Sequence, residues 1–178
     1  MDAQISPAAL ADFHQVLADH PRYWDDRDLR KLHLLAMVQE FGSTCLVARD
    51  VEGIRGYLFG FVTPRGIGYV HLIATRDDAR GEGLGRRLYE AFAEAAQAEG
   101  ATRLKAITSV TNRGSIAFHA SLGFDVQTVD EYYGPGHGPM IVFRHDLPFG
   151  SGGDGDGDGE DDGAGAGAGG TAIADARE

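Results

Sequence analysis

The chain has 178 residues, of which 43% are hydrophobic, and it carries a formal net charge of −11 with an isoelectric point near 4.9. This length suits one globular domain with a substantial core. No apolar run reaches the ~18–20 residues that a membrane-spanning helix needs, which excludes that class of protein. Cys45 is the only cysteine, which excludes an intrachain disulfide and a zinc site built from several cysteines.

The negative charge is concentrated near the C-terminus. Residues 150–178 carry eight acidic side chains and one basic one, a net charge of −7, so residues 1–149 carry −4. We expect no nucleic-acid partner, because phosphate binding depends on clustered lysine and arginine. The first twenty residues are not a basic segment followed by an apolar one. We therefore expect a cytoplasmic protein with no secretory signal and no membrane partner.

Residues 150–178 consist of Gly-Asp repeats, Gly-Ala repeats and a short mixed end. Ordering this segment would cost backbone entropy with little apolar burial in return, so we predict a disordered, acidic Gly/Asp/Ala-rich tail after a domain at 1–149. A calcium site at Asp154, Asp156 and Asp158 is the alternative, but known calcium loops need apolar residues or a terminal glutamate that this run lacks. We expect no metal.

The first half of the domain contains helical signals followed by strand signals. Ser6 and Pro7 are typical of a helix N-terminus, and the apolar residues after them have helical spacing. The predicted elements are a helix after Ser6, a helix through Leu29, Leu32 and Ala36, and strands at 44–48, 54–63 and 67–75. Short turns between the three strands favour an antiparallel meander.

The second half begins with an amphipathic helix from Leu84 that ends at Gly100, a residue typical of a helix C-terminus. The elements predicted after it are a strand at 104–109, a helix at 114–121, and strands at 124–132 and 140–146. The sequence therefore predicts an α/β domain with a single mixed, mostly antiparallel sheet flanked by helices.

A glycine-rich stretch, residues 80–87, lies between a predicted strand and the long helix. Such a turn lets backbone N–H groups converge on an anion at the positive end of a helix. The Rossmann spacing fails because Arg86 stands in place of its last glycine, and no Gly-Lys-Ser/Thr follows as Walker A requires. Arg80, Gly83 and Gly85 instead fit the pattern Arg-x-x-Gly-x-Gly. A simple turn is the alternative.

A second motif lies at compatible spacing downstream. Asn112 follows the predicted strand 104–109, and residues 118–124 read Phe-His-Ala-Ser-Leu-Gly-Phe. Together the two motifs resemble the acetyl-CoA loop and the Phe-Tyr-x-x-Leu-Gly-Phe motif of the GNAT acetyltransferases, over residues 43–146. The resemblance implies the GNAT-type acyltransferase fold and an N-acetyltransferase, in which an amine of a small molecule or peptide attacks acetyl-CoA directly.

The resemblance also implies which residues bind acetyl-CoA. In the family, the strand before the loop and the next strand splay apart, and the pantetheine arm lies between them. Main-chain groups of Ile73, Ala74 and Thr75 would hold this arm. The loop residues implied to bind the diphosphate are Arg80, Gly81, Glu82, Gly83, Leu84, Gly85 and Arg86. Asn112 and Ser115 would flank the far side, with helix capping as the alternative role.

Two histidines are candidate catalytic residues. His119 occupies a position that is commonly tyrosine in the family, where the phenol acts on the leaving thiolate; an imidazolium can serve the same purpose, and a structural histidine is the alternative. His71 lies two residues before Ile73, and arylalkylamine N-acetyltransferases resemble this chain in having a histidine there. If strict alternation holds, His71, Ile73 and Thr75 face one side of the sheet.

A base at His71 would assist the reaction because an amine with a pKa of about 10.4 costs roughly 4.6 kcal/mol to deprotonate at pH 7. A buried structural role for His71 is the alternative. Covalent catalysis through Cys45 is a rival mechanism, which the apolar neighbours of this residue disfavour.

The sequence leaves the acceptor and the assembly open. Acidic and aromatic residues at 130–133 and at 23–26 are alternative walls for a cationic amine. A CoA-binding sensor or scaffold without catalysis is the alternative function, and an interaction module driven by the acidic tail is a third. We expect a monomer or a homodimer.

Overall fold

The computed structural model of the chain describes residues 2–150. Its strands are β1 (Gln4–Pro7), β2 (Cys45–Asp50), β3 (Gly53–Val62), β4 (Ile67–Thr75), β5 (Arg103–Ser109), β6 (Asp125–Val129) and β7 (Met140–Asp146). Its helices are α1 (Leu10–Ala18), α2 (Pro21–Trp24), α3 (Leu35–Glu40), α4 (Leu84–Ala98) and α5 (Arg113–Ser121). Short 3₁₀ turns lie at Arg30–Leu32, Gly42–Thr44 and Asp77–Ala79. The predicted tail lies outside the described residues, apart from Gly150.

The seven strands form one sheet in the order β1-β2-β3-β4-β5-β7-β6. Neighbouring strands are antiparallel except β4 and β5, which are parallel. The mixed, mostly antiparallel sheet and the meander of β2, β3 and β4 are thereby confirmed. The helix α4 connects β4 to β5, as a parallel pair requires.

Helices cover both faces of this sheet. On the face that we call the α4 face, Leu88 and Phe92 of α4 pack with strand residues that include Leu104. On the opposite face, the α1 face, Phe13 and Trp24 pack with strand residues that include Leu72. Burial of each such side chain contributes about 1.5–3 kcal/mol to folding. The two apolar layers therefore hold the sheet from both sides.

The N-terminal segment differs from the prediction. Residues 4–7 form an edge strand against β2, with Ser6 opposite Val47 and Pro7 opposite Leu46, so Ser6 does not cap a helix. The helix α1 begins at Leu10, where the carboxylate of Asp12 accepts a hydrogen bond of 2.9 Å from the Ala9 N–H. Proline is tolerated in an edge strand. Pairing with a distant segment overrode the local Ser-Pro signal.

The predicted second helix is divided into a 3₁₀ turn and α3. Two buried histidines hold the backbone where the division occurs. The Leu29 N–H donates to Nε2 of His20 at 3.1 Å, and Nδ1 of His33 donates to the Leu29 carbonyl at 2.9 Å. These bonds tie Leu29, the residue before the 3₁₀ turn, to two buried side chains.

Candidate active site

The parallel strands β4 and β5 separate midway along their length. They pair over four residues, from Ile67 opposite Arg103 to Val70 opposite Ala106. Beyond these pairs β4 remains bonded to β3 and β5 to β7, but no described pair joins β4 to β5. A cleft therefore opens between the two strands, as the resemblance implied.

The edges of this cleft present backbone N–H and C=O groups that lack a strand partner. Ile73, Ala74 and Thr75 lie on the β4 edge, and the buried Oγ1 of Thr75 has no hydrogen-bond partner among residues 2–150. An extended ligand that contains amide groups can pair with such an edge in the way that an added strand does. The cleft thus has the form that a pantetheine arm requires.

A β-bulge at His71 breaks the alternation of β4. Phe59 lies opposite Leu72 and Gly60 lies opposite Val70, so His71 has no residue opposite it on β3. As a result Val70 and Ile73, three residues apart, both pack on the α4 face, whereas Leu72 packs on the α1 face. The prediction that His71 and Ile73 share a face was wrong, because the extra residue shifts the pattern by one position.

The His71 side chain is directed to the α1 face, where Nε2 donates to the Leu32 carbonyl at 2.8 Å. A neutral imidazole that donates through Nε2 keeps a lone pair on Nδ1, and this atom has no partner among residues 2–150. Burial lowers the pKa of His71 below its usual 6.5, although the bond to Leu32 raises it in part. His71 is therefore neutral at pH 7 and able to accept a proton.

A cavity of about 220 Å³ lies where β4 leads into α4. The residues that line it are Thr75, Ala79, Gly81, Gly83, Leu84, Gly85, Arg86, Phe118 and Ser121. The helix α4 has no side-chain cap at Gly83 and no acidic residue in its first turn. The positive end of a 15-residue helix is thus open to the cavity and can bind an anion.

The glycines of the loop have two different physical roles. Gly81 and Gly83 have φ angles of +82° and +71°, which L side chains rarely adopt, and a Cβ at either would meet nothing within 4 Å. At Gly85 a Cβ would lie 2.8 Å from Cζ of Phe118. Gly85 is therefore needed for close packing of α4 against α5, and not only for the approach of a ligand.

The arginines of the loop point in different directions. Arg86 is exposed and lines the cavity, whereas Arg87 turns away and pairs with Asp2 at 2.7 Å. Arg80 pairs with the carboxylate of Asp25 at 3.2 Å, but its buried Nε has no partner among residues 2–150. Together with the open end of α4, this donor fits a diphosphate. Glu82 is exposed in the same loop.

His119 is fully buried and its ring stacks on Phe143 with centroids 3.9 Å apart. Nδ1 lies 2.7 Å from the Ser115 carbonyl, to which it donates, and Nε2 lies 2.6 Å from the hydroxyl of Tyr89, which therefore donates to it. Burial lowers the pKa of His119 to about 4, against a smaller opposing effect of the Ser115 bond. At neutral pH the ring is uncharged, so these surroundings do not favour the expected imidazolium.

Asn112 caps the helix α5. Its Oδ1 accepts from the Ser115 N–H at 3.2 Å, and its Nδ2 donates to Oγ1 of Thr108 at 2.9 Å. The capping role of Asn112 that stood as an alternative is therefore present. Because Thr108 is near the end of β5, this cap fixes the start of α5 beside the cleft.

Three other candidates from the sequence lie in the core. Cys45 is fully buried, its Sγ lies 3.4 Å from the Met37 carbonyl, and burial raises the pKa of its thiol to about 11. This environment opposes covalent catalysis. Tyr23 and Trp24 are also fully buried, so their side chains do not form an acceptor wall.

A buried hydrogen-bond chain on the α1 face was not predicted from the sequence. Nε1 of Trp24 donates to the hydroxyl of Tyr57 at 2.6 Å. Because Nδ1 of His33 donates to Leu29, its Nε2 accepts from that same hydroxyl at 2.7 Å. This series of hydrogen bonds ends at Leu29, in the same segment as Leu32, whose carbonyl accepts from His71. Its members are far apart in sequence, and only an abundance of aromatic residues could have indicated them.

Within residues 2–150, no group of three or more His, Cys, Asp or Glu side chains is placed to hold a metal ion. None of the helices in this range has the length and apolarity required to cross a membrane.

Comparison with known proteins places the chain in a family. The sequence profile described as "Acetyltransferase (GNAT) family" matches residues 10–124. An L-methionine sulfoximine/L-methionine sulfone acetyltransferase from Pseudomonas paraeruginosa is 32% identical over 130 residues, which cover 67% of this chain and 74% of the relative.

Two solved structures share the fold. That of yncA from Salmonella typhimurium with its cofactor acetyl-CoA has a TM-score of 0.62 and 21% identity, covering 83% of this chain and 95% of the other. That of a ribosomal-protein-alanine N-acetyltransferase from Brucella melitensis has a TM-score of 0.60 and 25% identity, covering 81% and 99%. The cleft, the glycine-rich loop and these similarities together show that the chain belongs to the GNAT family of acetyltransferases.

Proposed function

We propose that this acetyltransferase uses acetyl-CoA to acetylate a free amine of a small molecule or a peptide. The observation that carries the proposal is the cleft between β4 and β5, which leads to the open N-terminus of α4. The similar Pseudomonas protein is named for a small amino-acid acceptor and the similar Brucella protein for a ribosomal-protein acceptor, so both acceptor classes are consistent with the family.

Acetyl-CoA would supply the activated acetyl thioester, held by residues on both sides of the cleft. Backbone groups of Ile73, Ala74 and Thr75 would bind the pantetheine arm on the β4 edge. Main-chain amides of residues 81–86 would bind the diphosphate, with charge from Arg80 and Arg86. Asn112 and Ser115 would border the arm from the start of α5.

His71 would act as the general base. The acceptor amine would attack the thioester carbonyl directly, and as its bond to carbon forms, Nδ1 of His71 would take the proton that the nitrogen loses. The carbon–sulfur bond would then break, and CoA would leave as a thiolate that takes a proton from water. The free lone pair and the lowered pKa of His71 support this role. A backbone N–H of β4 would stabilise the charge that develops on the carbonyl oxygen.

For His119 we propose a positioning role in place of the acid role that its sequence position suggested. The neutral ring accepts from the hydroxyl of Tyr89 and donates to the backbone of α5, so it joins α4 to α5 behind the cofactor loop. The phenyl ring of Phe143 holds its plane by stacking.

Calorimetry with acetyl-CoA and assays of thiol release across a panel of amines test the proposal. We expect saturable binding of acetyl-CoA and amine-dependent release of free CoA. Binding without release on any amine would instead support a CoA-binding sensor or scaffold. Folded protein that gives neither binding nor release would contradict both functions.

We also propose a cytoplasmic protein without nucleic-acid partners, a monomer or homodimer, and a tail that catalysis does not need. A variant that ends at residue 150 should keep the kcat of the full chain, and light scattering gives the oligomeric state of both. Loss of activity on truncation would favour a function driven by the tail.

A further inference from the structure

Lys105 lies on β5 beside the point where β4 and β5 separate. Its neighbours Leu104 and Ala106 are buried on the α4 face, so alternation directs the Lys105 side chain to the α1 face. Lys105 is the register partner of Tyr69, and His71 follows two residues along β4. His71 lies just beyond the last pair between the two strands, Val70 and Ala106.

The ammonium group of Lys105 is half-buried but forms no ion pair within residues 2–150. Its Nζ donates to the hydroxyl of Tyr132 at 2.7 Å and lies 5.0 Å from the centroid of that ring. By contrast, the more deeply buried Arg55 and Arg76 pair with carboxylates at 2.5 and 2.7 Å. A shielded cation without an anionic partner is costly unless something supplies the anion.

The acidic residues next to Tyr132 in the sequence do not supply an anionic partner for Lys105. Asp130 and Glu131 precede Tyr132 in the connection between β6 and β7, but both are exposed. The carboxylate of Glu131 accepts from the Gly136 N–H at 3.5 Å, within its own loop. An ammonium has three N–H donors and Tyr132 takes one, so Lys105 is able to donate to both oxygens of an incoming carboxylate.

We propose that Lys105 and Tyr132 bind the carboxylate of the acceptor, which makes the acceptor a free amino acid or an analogue of one. This inference rests on the proposed function, in which His71 receives the proton of the acceptor amine. An α-amino acid carries both groups on one carbon, and the side chains of Lys105 and His71 are both directed to the α1 face beside the cleft. The exposed ring of Tyr133 offers apolar surface to the acceptor side chain.

The terminal amine of a peptide lacks a carboxylate on the adjacent carbon, so this subsite distinguishes amino acids from peptides. A site that recognises a charged group discriminates strongly against ligands without it, because its own charge is then left unpaired. Lys105 is therefore a specificity-determining residue, and we expect its substitution to leave the affinity for acetyl-CoA unchanged.

The experiment compares three acceptors: L-methionine sulfone, its carboxamide, and the corresponding amine without the carboxyl group. Wild type, Lys105→Met and Lys105→Arg are measured for acceptor binding by calorimetry and for kcat/KM. Arg103→Met is the matched control, because Arg103 is exposed on the same strand and pairs with Asp146. Affinity for acetyl-CoA reports whether each variant is folded.

We expect wild type and Arg103→Met to prefer the acid over both other acceptors at least tenfold. Lys105→Met should lose this preference, and Lys105→Arg should keep most of it. Equal use of acid and carboxamide by wild type, or an equal loss on all acceptors in Lys105→Met, overturns the subsite. If no amine is acetylated but the sulfone binds in a Lys105-dependent way, the proposed function fails and the carboxylate subsite stands.

Discussion

At the scale of single residues, a side chain's surroundings decide its chemistry more than its place in a motif. His71 and His119 are both neutral at pH 7, but His71 keeps a free lone pair on Nδ1, whereas both ring nitrogens of His119 are occupied. A nitrogen that is already hydrogen-bonded on a fully buried ring has no route for a proton to a substrate. This difference favours His71 over His119 for the proposed proton transfer.

Substitution of His71 tests that assignment. His71→Gln keeps an N–H for the Leu32 carbonyl but removes the base, so kcat should fall about 10²–10⁴-fold. In wild type, kcat should decrease as the pH falls below 6.5 through the lowered pKa of His71, because the protonated ring cannot accept a proton. This acidic limb should be absent in His71→Gln and unchanged in His14→Gln, which alters an exposed histidine. An unchanged limb in His71→Gln removes the residue from the mechanism.

Two adjacent arginines allow a matched test of the diphosphate site. Arg86 lines the cavity at the start of α4, whereas Arg87 is directed to Asp2. Arg86→Ala should weaken acetyl-CoA binding about tenfold, the effect of losing one charge-assisted hydrogen bond. Arg87→Ala should change the dissociation constant less than threefold. Calorimetry measures both, and equal effects would mean that the diphosphate lies elsewhere.

At the scale of elements, the segment 29–33 links buried side chains of the α1 face to His71 on β4. The Leu32 carbonyl accepts a hydrogen bond from His71. Backbone groups of Leu29 are hydrogen-bonded to the side chains of His20 and His33, and the ring of His33 accepts in turn from the hydroxyl of Tyr57. Since the 3₁₀ turn has few bonds of its own, the position of the Leu32 carbonyl depends on this chain of side chains.

Tyr57→Phe tests this dependence. Loss of the hydroxyl leaves Trp24 and His33 with unsatisfied buried nitrogens, so the free energy of unfolding should fall by about 1–3 kcal/mol. If the Leu32 carbonyl then moves, its stabilisation of protonated His71 is lost, and the acidic limb of kcat should shift to lower pH.

Tyr23→Phe is the control for Tyr57→Phe, because it removes a buried hydroxyl that donates only to the Ile54 carbonyl among the described residues. It should destabilise the protein to a similar degree without moving the limb. Urea denaturation and pH–rate profiles give the two quantities. A limb that moves in neither variant would show that Tyr57 serves stability alone.

At the scale of the whole molecule, two buried histidines couple folding to pH. Burial lowers the pKa of His33 and of His119 to about 4 in the folded state, against about 6.5 in an unfolded chain. The unfolded state therefore binds more protons between these values, so stability must fall as the pH is lowered through this range.

Between pH 7 and pH 5 each of these histidines should reduce the free energy of unfolding by about 2 kcal/mol. Urea denaturation at the two pH values measures the total change in the free energy of unfolding. His119→Asn, although less stable than wild type at pH 7, should lose less stability on acidification. If the variant and wild type lose the same amount, His119 does not titrate on unfolding as the burial of its ring requires.

Much of the fold follows from local patterns. The bounds of β4 and β7 agree with the sequence prediction, and α4 ends two residues before the predicted Gly100, because apolar periodicity and turn residues act over a few neighbours. The first strand was missed, since Ser6 and Pro7 favour a helix start locally and only their pairing with β2 makes them a strand. The predicted strand at 124–132 ends at Val129, before Tyr132 reaches Lys105.

The family, the glycine-rich loop and the helix that follows it could be predicted from local residues, because a turn and the helix dipole after it are built from a contiguous stretch of chain. Three features of the site appear only in the folded protein: the bulge that turns His71 to the α1 face, the burial of His119, and the contact of Lys105 with Tyr132. Each depends on partners that are distant along the chain and adjacent only in the folded sheet, where burial and unpaired charge set the chemistry.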